Sequence, residues 1–365
     1  AAIKSWTGPP PFLIGTDGKV AWSGHPAGVD SEIEKLLKEH PPQGPGPLAE
    51  RFAADAYVLR NKPKSILCTP LMHQGKLSAV LYLENNLTTG AFTQERVEVL
   101  GLLSTQIAIS IENALLHEQE KAFARMQEEV RLAAQIQINL LPQSPPSIAG
   151  YELAGSNIPA SAVGGDYFDF IQISEDRWAI CIGDVSGKGL PASLLMANLQ
   201  ATLRGQTLLD VPPGECLRRA NRLLYQSTSP EKFATLFYGI LDARHHTLLF
   251  SNAGHDNPFV LHNGIETRRL KTGGIPLGMF EDFAFEEETI PMEPGDLIVM
   301  CSDGIAEAMN ANEEPFGEQN LSAVLTHLDN HSPQDVISKT LEAAKEFTGS
   351  TPQSDDMTIV VLRRT

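Results

Sequence analysis

The stretch Gly183-Asp184-Val185-Ser186-Gly187-Lys188-Gly189 decides how this chain is read. The apolar run Trp178–Ile182 leads into it as a strand, and Leu190–Ala197 leaves it as a helix. A carboxylate on a tight glycine turn at a strand end meets a ligand with little steric obstruction. Three more acidic turns accompany it. Gly164-Gly165-Asp166-Tyr167-Phe168-Asp169-Phe170 lies upstream; Ser302-Asp303-Gly304 and Ser354-Asp355-Asp356-Met357-Thr358 lie downstream. Hard divalent cations take oxygen ligands, and the carboxylates of Asp166, Asp184, Asp303 and Asp355 carry charge enough for two of them. Two such cations roughly 3.5–4 Å apart bridge a water, lower its pKa and clamp a phosphoryl group. Singly, each acid has a plainer reading. Ser302-Asp303-Gly304 alone is an ordinary turn, and Asp355-Asp356 alone caps a loop. Together they are expected to converge on one metal site.

Composition narrows the classes. With 365 residues the chain is long enough for two domains and a further piece. Apolar content of 42% and charged content of 20% fit a folded globular protein rather than a disordered one. A net charge of −17 argues against a nucleic-acid surface. No uninterrupted apolar run approaches about 18 residues, so no transmembrane helix is expected, and the first residues lack the apolar core of a signal peptide. Cys68, Cys181, Cys216 and Cys301 are scattered without a C-x-x-C pair. They read as thiols in a reducing cytoplasm.

From Tyr151 to Thr365 the text alternates short strands with a few helices. Strands are expected at 151–155, 166–173, 178–183, 234–241, 247–252, 259–261, 297–301 and 357–362. Helices are expected at 190–206, 213–226, 318–328 and 333–347. Strands joined mainly by hairpins favour an α+β layered fold over a parallel βαβ sheet.

The texts GGDYFDF, GDVSGKG, SNAGH, SDGIAEAMN and SDDMT, in this order, resemble the SpoIIE/RsbU branch of the PPM (PP2C-type) serine/threonine phosphatases. The resemblance covers about residues 125–365. It implies an antiparallel β-sandwich flanked by helices, with two Mn²⁺ or Mg²⁺ ions at one end. It implies Asp166, Asp184, Asp303 and Asp355 as metal ligands, the Val185 carbonyl on the second ion, and Asp356 as a secondary position. The implied reaction is in-line attack of a metal-bridging hydroxide on phosphoserine or phosphothreonine, without a phosphoenzyme. Many PPM enzymes have a histidine where this chain has Ser186, which leaves the general acid open, with water as the candidate. No arginine stands in these motifs to clamp phosphate. His255 is either an accessory group or a turn residue. Gly304 is a further accessory position, and Asn310 belongs to a segment, 306–317, expected to flap over the site. Lys188 is not a phosphate-loop lysine, since Gly189 replaces the required hydroxyl residue. The implied substrate is a phosphorylated STAS-type anti-anti-sigma factor or similar bacterial signalling protein.

Upstream, residues 1–40 resemble the tail of a thioredoxin-like domain, with a hairpin turn at Asp17-Gly18 and a short helix near 31–37. Residues 41–47 form a Pro/Gly linker. Residues 48–114 resemble the second half of a GAF domain, on Ser-Ile-Leu-Cys-Thr-Pro-Leu from Ser65, Val-Leu-Tyr-Leu-Glu-Asn from Val80 and Gln-Ile-Ala-Ile-Ser-Ile-Glu-Asn-Ala from Gln106. Residues 115–142 continue its helix as a connector, and the phosphatase-like domain takes 148–365. Leu116, Phe123, Met126, Val130, Ala133 and Leu140 recur at heptad-like steps, with Gln119 and Gln137 on the same seam. That face either joins two copies as a coiled coil or packs on its own domain. Two rival readings stand beside this one. A diguanylate cyclase fails because Tyr167 replaces the second acid of GGDEF; a catalytically weak or inactive phosphatase-like scaffold remains the alternative.

Overall fold

The computed structural model describes residues 12–14, 20–23, 56–73, 76–229, 231–328 and 331–365. The expected turn at Asp17-Gly18, the helix near 31–37 and the linker 41–47 lie outside them. Two compact units follow one another along the chain, Ala1–Arg125 and Met126–Thr365.

In the first unit β1 (Phe12–Ile14) and β2 (Val20–Ser23) form an antiparallel pair. A short helix α1 (Ala56–Asn61) precedes a second antiparallel pair, β3 (Ser65–His73) and β4 (Lys76–Asn85). Ser65 ties down the segment after β4: its hydroxyl donates to the Thr88 carbonyl (3.0 Å) and accepts from the Ala91 amide (3.0 Å). Helix α2 (Gln94–Leu140) then runs for 47 residues into the second unit. By length and composition it is the one helix among the described residues that could cross a membrane. Ser104, Gln106, Ser110 and Glu112 interrupt its apolar residues, so it holds no uninterrupted apolar run of that length.

The second unit has four layers. One antiparallel sheet orders β11 (Ile265–Arg269), β10 (Phe259–His262), β14 (Leu297–Cys301), β15 (Met357–Arg364) and β5 (Tyr151–Ile158). The other orders β12 (Gly273–Gly274), β9 (Thr247–Ala253), β8 (Ala234–Asp242), β7 (Arg177–Val185) and β6 (Tyr167–Gln172), with β13 (Glu288–Pro291) also on β9. Among the described residues only the two-residue β12–β9 pair is parallel. Helices α3 (Leu190–Thr207) and α4 (Pro213–Ser227) cover the second sheet. Helices α5 (Asp303–Ala306), α6 (Gly317–Thr326) and α7 (Pro333–Thr348) cover the first.

Side-chain alternation explains the layering. On β7, Ile180 and Ile182 point between the sheets, where they meet Phe237, Phe250, Met300 and Val360. Ala179 and Cys181 point the other way, toward Met196, Leu199 and Leu217 of the helices. On β14, Ile298 and Met300 face inward while Leu297, Val299 and Cys301 face α6 and α7. Strands buried on both faces read as continuous apolar runs, which is why these two were visible in sequence. Each fully buried Phe or Leu contributes about 1.5–3 kcal/mol. The thiols take part as small apolar groups: Cys181, Cys216 and Cys301 are free and buried, and burial pushes all three pKa values up.

Candidate active site

β7 delivers Asp184 and Val185 to one end of the sandwich. Gly183 is required one step earlier, because a Cβ there would stand 2.5 Å from the Thr235 carbonyl of β8. Gly187 (φ 104°) and Gly189 (φ 68°) then turn the chain through left-handed backbone into α3, whose first turn carries Pro191. Ser186 is spent on the neighbouring strand. Its amide donates to the Phe233 carbonyl (2.9 Å), and its hydroxyl accepts from the Phe233 amide (3.1 Å). Lys232 Nζ donates to the Ser186 carbonyl (3.2 Å).

The loop before β6 is pressed against this turn. A Cβ on Gly165 would meet the Val185 carbonyl at 2.7 Å and Asp184 Oδ1 at 3.3 Å. A Cβ on Gly164 would overlap the Asp356 carboxylate. Asp356 takes the loop in both oxygens, accepting from the Ala160 amide (2.8 Å), the Gly165 amide (2.7 Å) and, more weakly, the Asp166 amide (3.4 Å). From α2, Gln137 grips Gly164 on both sides: Nε2 donates to its carbonyl (2.6 Å) and Oε1 accepts from its amide (3.0 Å).

The two downstream turns pack on each other. A Cβ on Gly304 would overlap the Asp356 carbonyl, so the turn after β14 sits on the segment before β15. Ser302 bridges them, donating to the Asp356 carbonyl (3.2 Å) and accepting from the Thr358 amide (2.9 Å). Thr358 donates to Asp166 Oδ2 (2.5 Å) and accepts from Asn157 Nδ2 (2.8 Å). Asp355 Oδ2 lies 2.9 Å from Lys188 Nζ.

These loops thus gather like charges. Burial, then the Asp184 carboxylate, raises Asp166 well above the carboxylate range. Burial, then Asp303 and Asp355, pushes Asp184 up to about 7. Burial, then Glu307 and Asp355, raises Asp303. Such mutual repulsion among oxygen donors fits a hard cation in its chemistry. Among the described residues no three His, Cys, Asp or Glu side chains stand in metal-holding geometry. Asp355 is turned to Lys188, and Asp356 to backbone amides.

The accessory candidates are less central. His255 is buried; its Nδ1 lies 2.9 Å from Thr235 Oγ1, which reaches the Asp184 carbonyl at 3.5 Å, and its Nε2 has no partner. Asn310 is engaged within its own loop, donating to Glu314 Oε2 (2.9 Å) and accepting from the Asn312 and Glu314 amides. Three residues were not anticipated. Asp169 is fully buried and takes Nε and Nη2 of Arg204 at 2.7 and 3.0 Å. Thr358 orients Asp166. Asp256, next to His255, is pushed up to about 6 by burial, then by Asp303, Glu318 and Glu307. Asp169 lies within GGDYFDF, Thr358 within SDDMT, and Asp256 directly after SNAGH, but their partners lie far away in sequence.

Comparison with known proteins places this arrangement. Residues 174–365 match the family model described as Stage II sporulation protein E (SpoIIE). The chain belongs to the SpoIIE family. GGDYFDF precedes the matched span, yet β6, which carries its second half, is paired into the same sheet. Residues 9–111 match the GAF domain. That match reaches back over the residues that resemble a thioredoxin-like tail and over the Pro/Gly segment, so the missing first half of the GAF domain falls there. The chain is 27% identical over 336 residues to Protein IcfG of Synechocystis sp., covering 84% of this chain and 52% of that protein. It is 26% identical over 275 residues to Phosphoserine phosphatase RsbU of Bacillus subtilis, covering 73% of this chain and 80% of RsbU. The SiaA-PP2C domain of Pseudomonas aeruginosa shares the fold, with a TM-score of 0.59 at 21% identity, over 66% of this chain and 98% of that one. The SpoIIE domain is therefore PP2C-like in fold, and RsbU, among its relatives, is a phosphoserine phosphatase. The chain spans about half the length of IcfG.

Proposed function

We propose that the SpoIIE domain hydrolyses phosphoserine or phosphothreonine on a protein in a divalent-cation-dependent reaction, with Asp166, Asp184, Asp303 and Asp355 as cation ligands. One observation carries this reading. Carboxylates from separate strand-end turns crowd together, partly buried, where only protons or cations relieve their repulsion. Two Mn²⁺ or Mg²⁺ ions bound there would supply Lewis-acid and water-activating chemistry.

The chain's own residues do the remaining work. Val185 offers its backbone carbonyl beside Asp184, and Gly165 leaves that carbonyl uncovered. Thr358 and Asn157 fix the Asp166 carboxylate. Asp356 acts through backbone amides, holding the 160–166 loop in register with β15. The Ser186 hydroxyl oxygen accepts from the Phe233 amide, which fixes it against the neighbouring strand; water is the proton donor to the leaving alkoxide in this reading.

RsbU and RsbP of Bacillus subtilis, relatives of this chain, are phosphoserine phosphatases, which supports a phosphorylated signalling protein as substrate, with a STAS-type anti-anti-sigma factor as the candidate. Leu116, Phe123 and Met126 are exposed on α2, which supports a homodimer through the connector helix. Further on, Gln137 is bound to Gly164, while its neighbours Ile136 and Ile138 are exposed; in this reading the connector biases the Asp166 loop through that one side chain. The test is Mn²⁺-dependent hydrolysis of p-nitrophenyl phosphate and of a phosphoserine peptide, abolished by Asp184→Asn. A correctly folded, inert wild-type protein would instead support the scaffold alternative.

A further inference from the structure

Phosphoryl transfer needs positive charge at the substrate's phosphoryl oxygens, and the motifs of this chain hold no arginine for it. The basic side chains around the carboxylate end are mostly committed elsewhere. Lys232 Nζ holds the Ser186 carbonyl. Arg204 is locked on the buried Asp169. Arg269 lies over the Phe259 ring and pairs with Glu266. Lys188 differs from all three. It projects from the turn between Gly187 and Gly189, and its side chain is 60% exposed. Its Nζ touches only the rim of the cluster: Asp355 Oδ2 at 2.9 Å and the Ser354 carbonyl at 2.6 Å.

We propose that Lys188 is the residue that binds the substrate's phosphate, its ammonium passing from Asp355 to the phosphoryl oxygens. A phosphate dianion carries more charge than one carboxylate and competes for the same ammonium. The competition favours phosphate further when Asp355 is engaged as a cation ligand. The lysine stem is long and flexible, and an ammonium donates in three directions, so the transfer needs no backbone movement. Lys188 lies between two positive-φ glycines, on the same short turn that carries Asp184 and Val185. The lysine excluded above as a phosphate-loop residue thereby acquires a phosphate by a different route.

This inference rests on the phosphatase reading, and one set of measurements separates the two. The full-length protein with Mn²⁺ is compared with Lys188→Met and Lys188→Arg. The measurements are steady-state kinetics on a phosphoserine peptide and calorimetry with inorganic phosphate and with Mn²⁺. Lys188→Met is expected to raise both KM and the phosphate Kd about tenfold, the loss of one charge-assisted hydrogen bond. Lys188→Arg is expected to recover most of that loss, and Mn²⁺ affinity in Lys188→Met is expected to be equal or tighter. Unchanged KM and phosphate affinity together with tighter Mn²⁺ binding would leave Lys188 as a counter-ion of Asp355 and overturn the proposal. Weaker Mn²⁺ binding large enough to explain the kinetic loss would also overturn it. If the wild type shows no Mn²⁺-dependent turnover, the phosphatase reading fails, and phosphate calorimetry on wild type against Lys188→Met still decides Lys188.

Discussion

Gln137 and Gly164 hold each other by two hydrogen bonds, the side-chain amide of the helix replacing a strand partner for the loop backbone. Gly164 is two residues from Asp166, so the last turns of α2 are fastened directly to a loop of the site. Gln137→Ala removes both bonds. At about 1 kcal/mol for each, a loosened loop is expected to weaken Mn²⁺ binding several-fold, with the fold intact by circular dichroism. Mn²⁺ titration of the melting temperature measures it, and an unchanged midpoint would show that the loop is held well enough by Asp356 alone.

Arg204 and Asp169 form the corresponding tie for α3. Asp169 is fully buried and also accepts from the Tyr167 hydroxyl (2.8 Å) and the Phe170 amide (2.9 Å), so its charge is well solvated by protein. Arg204→Met strands that charge. Removing one partner of a buried pair costs about 3–5 kcal/mol; because the arginine side chain is 49% exposed, about 2 kcal/mol is expected after discounting for screening. Urea denaturation gives the value. The double variant Arg204→Met with Asp169→Asn is expected to recover part of the loss, because the remaining side chain is then neutral.

Thr358 fixes Asp166 through a single hydroxyl that also accepts from Asn157. Thr358→Val keeps the shape and removes the donor, leaving a buried carboxyl oxygen and an amide without their partner. The expected cost is about 1–3 kcal/mol in urea denaturation. Thr358→Ser, which keeps the hydroxyl, is expected to stay close to wild type. Equal losses in the two variants would assign the effect to the methyl group instead.

What the sequence revealed follows from where each signal resides. Strand β14 and the turn around Asp184 carry local signals, an apolar run buried on two faces and glycines needed for close approach. Both lie where they were expected. Strands β11, β12 and β13 were missed. Ile265–Arg269 is a polar edge segment, β12 has two residues, and neither shows a period-two pattern. Long-range side-chain ties were also unreadable, because Arg204 with Asp169, Gln137 with Gly164 and Thr358 with Asp166 leave no mark in local spacing. The motif GGDYFDF displayed Asp169 plainly, but nothing in it announced a partner on α3. The thioredoxin-like resemblance rested on a hairpin, a motif common to many folds, and the GAF match takes in the same residues.

His255 supplies a test in pH. Burial lowers its pKa from 6.5 to about 4, so the folded protein holds it neutral while the unfolded chain takes up a proton below about pH 6.5. The unfolded state therefore binds more protons between those two values, and stability falls as pH drops from about 6.5 to about 4 and levels off below. A shift of that size corresponds to about 3 kcal/mol in full. Asp184, with its pKa raised to about 7, acts in the opposite direction, since its folded form gains the proton first. Comparing wild type with His255→Asn cancels that opposing contribution, and asparagine can keep the contact that Nδ1 makes with Thr235. The stability difference between the two proteins is expected to move in favour of the variant as pH falls from 7 to 4.5. Parallel profiles would mean that His255 gains its proton in the folded protein as readily as in the unfolded one.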